Sequence, residues 1–334
     1  MAKRDDRIHI FFNRGAAKPP VFQITKEGYA AAAKRHPALA KKVKATVAEF
    51  TTEFAPVAHT VDAMVGFAFP TETIRGKATR LKWCHATGAG VDHLLPLGAW
   101  LPKGAVITNN SGIHAPRTME SAMMSILMIN SRMPEIYGLQ RARKWRQTFT
   151  SVVAGKTLLV IGAGGMGTGA ARAGWTLGME VIGVRRSGRK HRSFDKMFPT
   201  GKLDQVLPRA DIVFITCPLT PETRHLMGRK QFGLMKKTAG LVNFGRGAVV
   251  DAKALKAALT AGRISGALMD VFDPEPYPRS GELWNAPNMI VTPHCLSDDE
   301  EHYLPRTLDL VFENVGRMLA GKKLKNLVEI DRAY

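Results

Sequence analysis

Thr157-Leu-Leu-Val-Ile161 runs directly into Gly162-Ala-Gly164-Gly165-Met166-Gly167, and the residues from Gly165 to Leu177 carry a helical pattern. An apolar run of this length with no polar alternation reads as a strand buried on both faces. The glycines have GxGxxG spacing, which is informative between a strand and a helix. Gly162 permits a tight turn. Gly164 lets the backbone approach a pyrophosphate, whose charge suits the helix N-terminus, where Gly165 and Met166 also lie. Gly167 lets the helix lie close to the strand.

A second apolar run, Val181–Val184, ends about twenty residues on. A dinucleotide with a free ribose 2′-hydroxyl calls for Asp or Glu there. The chain instead reads Arg185-Arg186-Ser187. Two guanidiniums and a hydroxyl suit a 2′-phosphate through charge-assisted hydrogen bonds, whereas an acid would repel it. This predicts NADP(H) in preference to NAD(H), with NAD(H) as the alternative.

The same rhythm continues outward. Ile212–Thr216, Gly240–Asn243, Gly266–Met269 and Met289–Val291 read as further strands, and Lys202–Leu207 and Ala252–Ala261 as helices. Upstream, Ile8–Phe12, Val43–Val47, Ala63–Phe67, Leu81–His85 and Val106–Thr108 form a weaker series of strands. Helices are predicted at Pro116–Ile129 and Leu304–Leu319. The predicted class is α/β, with two Rossmann-like doubly wound domains. Residues 1–114 with 297–334 form a discontinuous, flavodoxin-like substrate domain, and 115–296 form the dinucleotide-binding Rossmann domain. Two crossing helices would leave a cleft beneath them. Met119, Met123, Met124 and Met128 are expected in a core or a subunit interface.

Of 334 residues, 45% are hydrophobic, enough for two full cores. No stretch approaches the ~20 apolar residues of a membrane span, and the only apolar run near the N-terminus is too short for a signal peptide, so a cytoplasmic location is expected. Cys84, Cys217 and Cys295 form no CxxC pair and no zinc spacing, so neither a disulfide nor a metal is expected. The formal charge is +20. Its clusters at 141–146 and 185–192 read as a solvated arm and the phosphate site, so a nucleic-acid partner is not expected. Asp298–Glu301 reads as an acidic start to a helix. No GxSxG elbow is present, which argues against a serine hydrolase.

Three segments at predicted strand ends carry candidate chemistry: Asn243-Phe244-Gly245-Arg246-Gly247, Asp270-Val-Phe-Asp-Pro-Glu275-Pro and Thr292-Pro-His294. Ligands of open α/β sheets lie at such ends. A guanidinium can grip a carboxylate in two places. A histidine can give a proton near neutral pH, and a carboxylate beside it orients the ring and favours the imidazolium. Singly, each has an ordinary reading as a turn, loop or core residue. Together and in order they fit hydride transfer to a ketone, which needs a proton on oxygen.

With these segments, Cys217-Pro218-Leu-Thr-Pro-Glu-Thr223 and Thr87-Gly-Ala89-Gly90-Val-Asp92-His93, the chain resembles the D-isomer-specific 2-hydroxyacid dehydrogenase family over nearly its whole length. The resemblance implies that Arg246 holds the substrate carboxylate and polarises the keto oxygen. It implies that His294 is the general acid in reduction and that Glu275 raises its pKa. Ala89 and Gly90 would bind the substrate carboxylate through their amides, and the domains would close over it. Cys217, Pro218, Thr223, Phe244, Gly245 and Asp270 would line the cofactor, and a homodimer would form through the cofactor domain. Glu275 stands where formate dehydrogenases of the superfamily have glutamine, which disfavours that reaction. Arg185 departs from the family's acid, and Cys295-Leu296 from its usual small residues after the histidine. The end at Tyr334 predicts no C-terminal regulatory extension of the phosphoglycerate dehydrogenase kind.

The expected activity is therefore reduction of a small 2-keto acid, such as glyoxylate or hydroxypyruvate. The alternatives are an NAD-linked dehydrogenase of a larger D-2-hydroxy acid and a dinucleotide-sensing, corepressor-like binding protein.

Overall fold

Uninterrupted apolar runs make strands that need cover on both faces, and both sheets of this protein are built from them. The computed structural model describes residues 6–330. They form two compact units, one of residues up to Ile113 together with those from Asp299, the other His114–Asp298.

The first unit holds β1 (Ile8–Asn13), β2 (Val43–Ala48), β3 (Ala63–Gly66), β4 (Trp83–Ala86) and β5 (Val106–Asn109). They lie in the order β2-β1-β3-β4-β5, and every pairing is parallel. One face of the sheet packs on the returning helix Tyr303–Leu319, whose Leu308, Val311, Phe312 and Val315 are buried with Ile10, Phe12 and Trp83. The other face buries Phe11, Phe50, Phe54 and Met64. The acidic run 298–301 precedes that helix rather than beginning it. Asp299 still serves its start, because Oδ1 accepts from the amides of Glu301 and His302.

The second unit holds β6 (Thr157–Ile161), β7 (Glu180–Val184), β8 (Lys196–Phe198), β9 (Ile212–Ile215), β10 (Gly240–Asn243), β11 (Gly266–Met269) and β12 (Met289–Val291). The order β12-β11-β10-β9-β6-β7-β8, parallel throughout, is that of a Rossmann sheet with its reversal between β6 and β9. The helix Ala115–Asn130 lies against the helix Gly165–Thr176. A side chain at Gly169 would stand 2.6 Å from the Ala115 carbonyl, so only glycine permits that approach. Met119 and Met123 pack on this core, whereas Met124 is exposed.

Several elements differ from the sequence expectation. The strand β8 is an edge strand of three partly exposed residues and leaves no apolar run to find. The helix Lys26–Arg35 has the alanine-rich sequence KEGYAAAAKR, with little periodic apolar signal. Helix propensity and a cap sustain it, since Thr25 Oγ1 accepts from the Gly28 amide. The predicted helix at 202–207 is shorter, Leu203–Val206, flanked by 3-10 turns.

Candidate active site

The glycine turn after β6 is fixed by its neighbours. Gly162 has φ +105°, and a Cβ there would lie 2.7 Å from the Cys217 amide. A Cβ on Gly167 would lie 1.9 Å from the Gly162 carbonyl, so the helix sits directly on the turn. At Gly164, by contrast, a Cβ would meet no protein atom within 4 Å. Gly162 and Gly167 are thus demanded by packing, while Gly164 faces open space at the start of the helix Gly165–Thr176. Bare backbone there, with the first amides of the helix, fits a dinucleotide pyrophosphate. Thr216 Oγ1 donates to the Gly162 carbonyl at 2.8 Å and ties the turn to the end of β9.

After β7, Arg185 Nε donates to Ser187 Oγ at 3.0 Å, and the Gly188 amide closes the turn on the Arg185 carbonyl. The Arg185 amide is held by the Phe198 carbonyl of β8. Arg186 and Ser187 are exposed and Arg185 is half-buried. Glu180, the acid of this strand, lies at its other end and pairs with Lys196 and Arg209.

Three strand-end segments converge on one constellation. The Asn243 carboxamide accepts from the Gly245 amide and donates to the Arg246 carbonyl, which shapes the turn that presents Arg246. Arg246 Nη1 donates to the Gly245 carbonyl. A Cβ on Gly247 would stand 2.0 Å from the Phe272 carbonyl carbon, so this turn rests on the main chain of the next segment. There the Phe272 amide donates to Glu275 Oε1 at 2.8 Å. Glu275 Oε2 meets His294 Nδ1 at 2.7 Å. A carboxylate only accepts, so Nδ1 carries hydrogen and Nε2 is the atom that gains or loses a proton. Among the described residues Nε2 has no partner.

The hydrogen bond to Glu275 is the largest influence on His294 and raises its pKa above 6.5, against burial and the charge of Arg246. For Glu275, burial is the largest influence and pushes upward. The bonds from His294 and the Phe272 amide, with the charges of His294 and Arg246, outweigh it and leave the carboxyl below 4.5. Both groups therefore feel Arg246.

Asp270 is 1% exposed. Its Oδ1 accepts from the Thr292 hydroxyl and the Cys295 amide, and its Oδ2 from the Leu296 amide. In the structure it braces both sides of His294, whose φ is +51°. Burial is the largest influence on Asp270 and raises its pKa. Sequence reading missed this brace because two of its three donors are backbone amides, which any residue supplies.

The remaining expected residues are dispersed. Phe244 is 2% exposed, with its ring edge-on to Phe214 at 4.9 Å and its amide bonded to the Ile215 carbonyl. Cys217 is buried, and burial pushes its thiol up to about 12; its main chain lies between Gly162 and Gly245. Thr223 Oγ1 donates to the Pro218 carbonyl and accepts from the Thr220 amide, which shapes the loop after β9. In the first unit, Ala89 and Gly90 follow β4, and their amides have no acceptor among the described residues. Among the described residues no group of His, Cys, Asp or Glu could hold a metal, and no helix is long and apolar enough to cross a membrane.

The sheet order, the glycine turn and the Arg–Glu–His constellation define a dinucleotide-dependent oxidoreductase. Comparison with known proteins gives the particular kind. The family model for the NAD-binding domain of D-isomer specific 2-hydroxyacid dehydrogenases matches residues 123–295. A glyoxylate reductase of Aeropyrum pernix is 36% identical over 67% of this chain and 70% of its own length. A D-3-phosphoglycerate dehydrogenase of Methanocaldococcus jannaschii is 32% identical over 78% of this chain, which spans 50% of that protein. A solved D-isomer specific 2-hydroxyacid dehydrogenase from Xanthobacter autotrophicus, in complex with NADPH and MES, superposes with a TM-score of 0.83 at 27% identity, covering 98% of this chain and 100% of that one. The chain belongs to the D-isomer specific 2-hydroxyacid dehydrogenase family of NAD(P)-dependent oxidoreductases.

Proposed function

We propose that this protein is an NADPH-preferring reductase of small 2-keto acids, with glyoxylate and hydroxypyruvate as the leading substrates. The observation that carries the reading is the Glu275–His294 pair at 2.7 Å, with Arg246 electrostatically coupled to both. Arg246 receives the substrate carboxylate and draws electron density toward the keto oxygen. The amides of Ala89 and Gly90 are assigned to the substrate carboxylate, as the family resemblance implies.

The residues from Gly162 to Gly167 hold the pyrophosphate, and Arg185, Arg186 and Ser187 hold a 2′-phosphate. Bound there, the dinucleotide supplies the hydride that the keto carbon gains. His294 Nε2 gives its proton to the keto oxygen, completing the hydroxyl, and Glu275 stabilises the imidazolium before that transfer. In the reverse direction neutral Nε2 takes the proton back.

The cofactor preference is supported by the absence of an acid after Val184 and by the Arg185–Ser187 contact. The substrate is supported by the name of the A. pernix relative and by Arg246. A homodimer is supported by the segment after the helix Met133–Arg141, where Trp145 is 97% exposed and Phe149 and Val152 are also bare. Large apolar side chains bared together along one short segment fit a surface that a second subunit covers. Sedimentation at micromolar concentration should give the mass of two chains.

The deciding experiment is a panel of glyoxylate, hydroxypyruvate and larger 2-keto acids, each with NADPH and NADH. NADPH should be favoured at least tenfold in kcat/KM, and Arg185→Ala should erode that ratio. A tenfold preference for NADH would overturn the cofactor assignment. Dinucleotide binding with no turnover on any keto acid would favour a sensing protein instead.

A further inference from the structure

The order β2-β1-β3-β4-β5 places a topological reversal in the first unit, between β1 and β3. Open parallel sheets receive ligands outside the carboxyl ends of the strands at such a reversal. Three side chains gather there, one from each neighbouring strand end. Lys18, from the loop after β1, holds Nζ 4.8 Å from the centre of the Phe67 ring. Phe67, after β3, is 42% exposed. His93, after β4, stacks on Phe67 with ring centres 4.2 Å apart and planes 9° apart. The His93 ring donates from Nε2 to the Phe67 carbonyl at 2.8 Å, which leaves Nδ1 for another partner.

The loop carrying Lys18 is built rather than loose. Glu49 Oε1 accepts from the Ala16 amide and Arg14 Nε, the Lys18 amide bonds the Gly15 carbonyl, and Gln23 Nε2 donates to the Lys18 carbonyl. Glu49 thereby satisfies Arg14. Among the described residues no carboxylate lies within ion-pair distance of Lys18. A cation without a counter-ion is thus held over an exposed ring. That ring also borders the Ala89–Gly90 loop, since a Cβ on Gly88 would stand 3.3 Å from it.

We propose that Lys18, seated over Phe67 and His93, reads a second carboxylate at the far end of the substrate, so that 2-keto dicarboxylates are accepted alongside the small 2-keto monocarboxylates. This rests on the assignment of Ala89 and Gly90 to the first carboxylate. Lys18 pairs with the distal carboxylate as a point charge, and His93 holds the Phe67 ring in place through the stack and the Nε2 bond.

The test compares kcat/KM for oxaloacetate and glyoxylate, with NADPH, in the wild type, Lys18→Met and Lys18→Arg. The ratio of oxaloacetate to glyoxylate should drop at least tenfold in Lys18→Met, mainly through KM for oxaloacetate. Lys18→Arg, which keeps the cation and its seat over the ring, should restore most of it. A ratio unchanged in Lys18→Met, or a wild type that reduces glyoxylate and not oxaloacetate, overturns the inference and leaves the proposed function standing. Failure on every keto acid removes both. A fall shared equally by the two substrates assigns Lys18 to the loop's structure and overturns the specificity role.

Discussion

Two turns at the carboxyl ends of the same sheet use left-handed backbone for opposite reasons. Gly162, after β6, sits at φ +105° because neighbouring main chain leaves no room for a side chain. His294, after β12, sits at φ +51° and must keep its side chain, so its conformation is braced from outside by Asp270. The first turn offers backbone to a ligand and is specified by what is missing. The second offers one nitrogen and is specified by a carboxylate more than twenty residues away. Strain at a functional residue persists only where its surroundings over-determine it.

The sharpest way to break this contrast is at the two turns themselves. His294→Ala should lower turnover by roughly 10²–10⁴-fold, the usual contribution of a positioned acid, with little change in dinucleotide affinity. Single-turnover kinetics and a binding titration read the two effects separately; wild-type turnover in a proton-transfer-limited step would show that the acid is elsewhere.

Gly167→Ala should destabilise the second unit by about 3 kcal/mol, since overpacked backbone must shift. Gly164→Ala, with open space at its Cβ, should leave the melting temperature nearly unchanged and weaken dinucleotide binding. Equal effects of the two on thermal stability would erase the distinction between packing glycine and ligand-facing glycine.

Asp270→Asn should cost about 1–3 kcal/mol, because a carboxamide cannot accept from all three donors and leaves one buried and unpaired. Hydrogen exchange at the Cys295 and Leu296 amides should speed up. Unchanged protection there would mean that the histidine segment holds its own shape.

The smallest effect is in pH. With His294 as the proposed acid, reduction needs it protonated, so the rate should fall as pH rises through its folded-state pKa, which lies above 6.5. Glu275→Gln removes the main cause of that elevation, and the fall should move to lower pH. The pair's share of stability is fully present between about 4.5 and 6.5. It is lost above as His294 deprotonates, and below once pH falls through the depressed Glu275 pKa. Because these side chains are 35% and 47% exposed, that share is only about 0–1 kcal/mol, and the kinetic profile is the better readout.

The chain by itself determined the architecture and the family. Strands buried on both faces must be continuous apolar runs, so β6 and β9–β12 stand out to within a residue of their bounds. The glycine spacing and the missing acid after Val184 are likewise local, because a turn and a strand end are made by consecutive residues. Tertiary structure decided what depends on distant partners. It brought Glu275 to His294, seated the Arg246 turn on Phe272, turned Asp270 into a brace and buried the Phe244 ring against Phe214. It also made β8 a strand, since an exposed edge of three residues earns its conformation from the ladder beside it. Lys18, Phe67 and His93 lie up to 75 positions apart in the chain, and only the reversal between β1 and β3 sets them side by side.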